Sequence, residues 1–122
     1  MVKVILFLVL LGANTFLNAE VQAKFDCSYQ TFADSDGVRN YNRPFKFKII
    51  WDTEKKLATY IKDKQTKKLK ISDSIDMVSF VDMSNAGRVT TTSINKNSGM
   101  SVYSVNRFGL SHQAYGICKF TL

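Results

Sequence analysis

His112 is the sole histidine in the 122 residues, and Ser111 stands beside it, so a base and a nucleophile are adjacent in the chain. Neighbouring side chains in an extended strand point to opposite faces, so the two cannot form a dyad by themselves. A Ser-His-Asp site would need partners from other strands, and no segment marks one. Cys27 and Cys118 are the two cysteines, one near each end. With His112 they match no zinc-ligand spacing. They also lack the Cys-x-x-Cys arrangement of a redox pair, so a structural disulfide is their simplest chemistry. Asp34-Ser35-Asp36-Gly37 has the outline of a calcium loop. Aligning Gly37 with the turn glycine of an EF-hand puts Phe32 and Arg43 at the first and last ligand positions, where acids are required. The segment therefore reads as a turn. The acidic residues show no clustering of the kind that paired acid–base chemistry needs. The sequence points to a protein without catalytic residues, metal or cofactor.

Charge is the more informative chemistry. The net charge is +7. Between residues 45 and 51 apolar and basic side chains alternate, the period-two pattern of a half-buried strand. A turn over residues 52–56 predicts that Trp51 faces Leu57, Ile49 faces Thr59 and Phe47 faces Ile61, leaving Lys46 opposite Lys62 and Lys48 opposite Tyr60. Carried through the next tip, the same logic pairs Ile61 with Leu69 and Thr59 with Ile71, and adds Lys68 and Lys70 to the polar side. This register gathers the large apolar side chains on one face, and a one-residue slip would bury lysines. It yields a basic sheet face of Lys46, Lys48, Lys62, Lys68 and Lys70 around Tyr60. Such a face attracts anions, although lysines also protect exposed strands from edge pairing. The expected partner is an acidic protein or an anionic envelope surface. Nucleic acid is the weakest candidate, since one tyrosine is not a stacking platform.

The elements that must position these residues are almost all strands. Residues 25–32, 45–51, 57–62, 68–72, 74–82, 88–95, 100–107 and 113–121 alternate or are β-branched. Short polar or glycine-containing turns separate them. Pro44 falls at a strand start, where its missing N–H is tolerated. Residues 33–43, rich in Asp, Asn and Gly, read as the longest irregular stretch and a second candidate binding loop. The segment 109–116 is distinctive for its two glycines. This pattern specifies an all-β domain, a small antiparallel meander of seven or eight strands closing as a barrel or a sandwich. With its first and last strands side by side, Cys27 and Cys118 would lock the seam. A loop of that length contributes about 4–5 kcal/mol in the chain-entropy view.

Ahead of the strands, Lys3, the apolar run 4–11 and Val21-Gln22-Ala23 have the order of an export signal. The apolar run is too short for a bilayer span, which takes about 20 residues. Residues 1–23 therefore read as a cleaved signal peptide, with cleavage after Ala19 as the alternative. Residues 24–122 are then a single secreted or periplasmic β-domain with no transmembrane anchor, in a compartment where disulfides persist.

In plan, an export signal followed by a small β-domain with a cysteine near its end, the chain resembles the periplasmic lysozyme inhibitors of the membrane-bound C-type group. Those inhibitors place a Ser-Gly-x-x-Tyr segment in their inhibitory loop. This chain has Ser98-Gly99-Met100-Ser101-Val102-Tyr103, one residue longer. The resemblance implies an inhibitor or blocking factor, with a loop inserted into an enzyme, as the alternative to a binding protein that works through its basic face. A structural envelope protein is a further alternative.

Overall fold

The structure, a computed structural model, describes residues 22–84 and 87–121. Most of the segment read as an export signal lies outside them. Eight antiparallel strands follow in chain order: β1 (Gln22–Asp34), β2 (Gly37–Asp52), β3 (Leu57–Lys62), β4 (Gln65–Asp73), β5 (Met77–Met83), β6 (Val89–Asn95), β7 (Met100–Arg107) and β8 (Leu110–Thr121). Each pairs with the next, and β8 returns to pair with β1, so the meander closes as a barrel. Closure leaves no free sheet edge among these strands. Cys27 and Cys118 are direct partners across the β1–β8 seam and are disulfide-bonded, with Cα atoms 3.9 Å apart. The expected barrel and its terminal staple are both present.

The interior is built from alternate residues of every strand. β1 contributes Ala23, Phe25, Cys27 and Tyr29, and β2 contributes Phe47, Ile49 and Trp51. Val78, Phe80 and Ile94 of β5 and β6 and Ala114 of β8 add to it. Large side chains are set against small ones, as close packing requires. Trp51 is flanked across both ladders by alanines, Ala23 and Ala58. Tyr29, fully buried, lies opposite Gly116. Its hydroxyl is 2.7 Å from the Ser101 hydroxyl, so no buried donor is stranded there. Among Tyr60, Phe80, Thr92 and Tyr103 only about 10 Å³ remains open, too little for anything larger than water.

Two sequence expectations are corrected. Residues 33–43 are not an irregular loop. β1 and β2 continue as a hairpin to a two-residue turn, Ser35-Asp36, closed by Asp34 opposite Gly37. Asp34 accepts the Asp36 backbone N–H at 2.9 Å, and Gly37 takes the turn's positive φ of 112°. The Asp and Gly content thus belongs to a tight turn rather than to disorder. A register shift lies where residues 41–44 bulge out opposite Gln30, and Pro44 sits inside it, away from any ladder bond it would break.

The registers of β2–β3 and β3–β4 also differ. Asp52 pairs with Leu57, Trp51 with Ala58 and Ile49 with Tyr60. The connection is four residues rather than five, with the Asp52 carboxylate accepting Lys55 N–H at 3.0 Å and Lys56 at φ 56°. Changing the loop length by one inverts the parity of β3. The next turn is only Asp63-Lys64, with Asp63 at φ 54°, so β4 begins at Gln65 and Tyr60 lies opposite Lys67.

Candidate functional site

The corrected register redistributes the basic residues. Lys46 and Lys48 point outward from β2, between Ser28 and Asp26 of β1 on one side and β3 on the other. Tyr60 points inward and leaves the lysine face, with its ring 4.9 Å from Phe47. Burial pushes its hydroxyl up to about 12, with Tyr103, Asp63 and Asp82 adding to the rise. Lys62 falls on the inward side at the very end of β3. Its stem passes over Phe45, with the ammonium 4.8 Å from that ring, and Nζ donates to the Lys46 carbonyl at 2.8 Å. Lys68 and Lys70 remain on the outer side of β4. The strand β3 intervenes, placing them two strand spacings, roughly 10 Å, from the β2 lysines.

What comes together instead is a concave surface of about 820 Å³ across β8, β1, β2 and β3. Lys46, Lys48, Lys62 and Lys119 line it, with Asp26 and Asp63 as its two carboxylates and Ile61 and Ile117 as apolar floor. Asp26 sits between Lys48 and Lys119 in the two ladders, 3.8 Å from the Lys48 ammonium. Both members of that pair are more than half exposed, so it holds little energy. Among the described residues, Lys46 and Lys119 make no ion pair. The concavity is thus a basic groove with unspent charge. Lys119 was not singled out from the sequence, although pairing Cys27 with Cys118 places it directly beside Asp26.

The other sequence candidates have different places. His112 faces inward from β8, stacked on Phe32 at 5.1 Å, with Nε2 2.9 Å from the Tyr41 hydroxyl. Ser111 points the other way. Asp34 pairs with Arg39 across the hairpin, and its carboxyl is held below the usual range chiefly by the Asp36 backbone N–H and further by Arg39. No cluster of three or more His, Cys, Asp or Glu among the described residues could hold a metal ion. Ser98 and Gly99 lie in the β6–β7 turn, pinned by the Cys118 backbone N–H donating to the Gly99 carbonyl at 2.8 Å. Tyr103 belongs to the interior ring cluster, 5.1 Å from Phe45.

At the barrel end where β1 begins and β8 ends is a second concavity, about 340 Å³, bounded by Phe25, Trp51, Ile94 and Phe120. Lys96 crosses its rim, tied to Asp73 and to the Ser74 carbonyl and lying 5.9 Å from the Trp51 ring. No helix among the described residues is long and apolar enough to cross a membrane. Comparison of the chain with protein-family models, with curated proteins and with solved structures finds no match.

Proposed function

We propose that this is an exported, non-enzymatic binding protein of the periplasm or cell envelope, which captures an anionic partner in the groove between β8 and β3. One observation carries the reading. Lys46, Lys48, Lys62 and Lys119 converge on a single concavity that holds only two carboxylates. A closed barrel offers no strand edge for pairing, and the basic groove, at about 820 Å³, is a larger concavity than the apolar one of about 340 Å³ at the barrel end. This reading therefore places recognition on the groove's side chains. The groove's field draws in acidic partners and speeds their encounter. A carboxylate- or phosphate-bearing protrusion would complete the cation shell of Lys46 and Lys119 and reach Ile61 and Ile117 below. The disulfide supports an oxidising compartment.

Crosslinking capture from the cell envelope tests the reading with two variants of identical net charge. K46E/K48E reverses the groove, and K68E/K70E reverses the outer face of β4. Capture by wild type and by K68E/K70E, but an order of magnitude weaker for K46E/K48E and falling with added salt, is the expected result. Equal losses in both variants would mean that net charge rather than the groove does the binding. Unchanged capture in both removes the lysines from the function.

A further inference from the structure

The barrel end opposite the start of β1 and the end of β8 carries a feature that stability does not explain. β7 and β8 are joined by the two-residue turn Phe108-Gly109, closed by Arg107 opposite Leu110. Both turn residues have positive φ, 46° and 82°. Such turns favour Asn-Gly, Asp-Gly or Gly-Gly, because a side chain with a Cβ is strained there and a bulky one most of all. Phe108 nevertheless occupies the first position with 83% of its surface exposed, and Leu110 beside it is 71% exposed. The Phe108 ring tip lies 3.1 Å from the position a Cβ on Gly87 would take. The residue thus costs backbone strain and leaves a large apolar surface in water. Observed strain of this kind is a pointer to function.

The surroundings say what this tip fits. Arg107 precedes Phe108. Arg88 immediately precedes β6, whose first residue Val89 faces Asn106, so it lies at the same end of the barrel as Arg107. Both arginines are exposed, and neither makes an ion pair among the described residues. The tip is an exposed apolar pair with two arginines close by in the chain and ladder, and it stands beside a concavity of about 370 Å³ that Asp34, Ser35, Gly109 and Leu110 line. Its geometry matches a bilayer surface, with aromatic and aliphatic side chains entering the headgroup–acyl boundary while guanidiniums bind the phosphates above them. The +7 net charge draws the molecule to an anionic leaflet.

We propose that Phe108 and Leu110 form a membrane-contact tip, with Arg88 and Arg107 as its phosphate ligands, binding the surface of an anionic phospholipid bilayer. The surface is separate from the lysine groove and does not depend on it.

The test uses the purified protein, recovered after natural processing, with vesicles of phosphatidylglycerol and of phosphatidylcholine. F108W places a reporter at the tip, and wild type serves as the blank because its one tryptophan, Trp51, is buried among Phe25 and Phe80. Expected is a blue shift of F108W emission with phosphatidylglycerol vesicles, quenching by lipids brominated in the acyl chain, and little response to phosphatidylcholine. F108G is expected to lose vesicle partitioning roughly tenfold, about the worth of one buried aromatic side chain. Its melting temperature should not fall, since glycine relieves the turn, so the loss could not be blamed on unfolding. Three outcomes overturn the proposal. F108W emission indifferent to phosphatidylglycerol would leave a pocket on a protein as the tip's target. F108G sedimenting with vesicles as wild type does would place the contact elsewhere. Equal binding to phosphatidylcholine would remove the arginines from it.

Discussion

At Gly116 the backbone of β8 lies so close to β1 that a Cβ would overlap the Ser28 carbonyl oxygen and sit 2.8 Å from the Tyr29 Cα. The Tyr29 ring uses the vacated space and packs on Phe47 at 5.5 Å. Gly116→Ala must therefore push apart the strands that the disulfide holds together. We expect a loss of about 3 kcal/mol in urea unfolding, the upper end of ordinary overpacking. A cost within experimental error would mean that the seam yields freely. Tyrosines also set the alkaline limit. Burial raises the Tyr60 hydroxyl to about 12, and Tyr29 and Tyr103 are raised for the same reason. Between the ordinary value near 10 and the raised one, the unfolded chain has lost its tyrosine protons while the folded chain keeps them. Stability from this source is complete below pH 10 and falls as pH rises through 12. Melting temperature should hold to about pH 9 and drop beyond it, and Tyr60→Phe should lessen the slope of that drop without shifting its onset.

The β2–β3 hairpin shows how element-level register escaped the sequence. Counting apolar residues puts Leu57, Ile61 and Trp51 on one face, which is the tidier pattern. The barrel interior does not take the most hydrophobic set; it takes the set that fits. Phe25, Phe47, Ile49, Trp51 and Phe80 already fill it, and the place beside Trp51 has room only for Ala58. Leu57 is left outside, 58% exposed. The two registers make opposite predictions about adjacent residues. Leu57→Ser should change stability by less than about 0.5 kcal/mol, whereas Ala58→Leu should cost about 1–3 kcal/mol by overpacking. Thermal unfolding of the pair decides between them, and the reverse order would restore the five-residue loop. Loop parity was the missing information, since a difference of one residue at Asp52 decides whether Tyr60 belongs to the lysine face or to the core. The same gap hid the hairpin over residues 33–43, where one Asx turn at Asp34 accounts for a composition that reads as a loop. Lys119, by contrast, was legible, because the disulfide fixes its register against Asp26 and Lys48. The lysine face was thus half readable: Lys46 and Lys48 from alternation, Lys119 only through the cysteines.

For the molecule as a whole, the closing β1–β8 pairing is the exception in an otherwise local topology. Seven of the eight pairings join consecutive strands through short turns, and the eighth links residues that are distant in sequence. The cysteines sit 91 residues apart on that seam. Cross-linking them removes loop-closure entropy from the unfolded chain, about 4–5 kcal/mol for a loop of this length. That is a large fraction of the roughly 5–15 kcal/mol that holds a domain together. Reduction should therefore lower the urea midpoint sharply while leaving the strands intact in the absence of denaturant. The loss should also be uneven. Once the staple is cut, the seam has its ladder and the contacts of Phe25, Tyr29 and Phe32 to oppose opening, whereas β5–β6 is a local hairpin anchored by Val78, Phe80 and Ile94. Amide exchange in the reduced protein should accelerate first along β1 and β8 and last along β5 and β6, because local opening follows the weakest cooperative unit. An opened seam also frees two strand edges, so reduced protein should aggregate where oxidised protein does not. Uniform loss of protection across all eight strands would show that the barrel opens as one unit and that the disulfide stabilises the fold without guarding its seam.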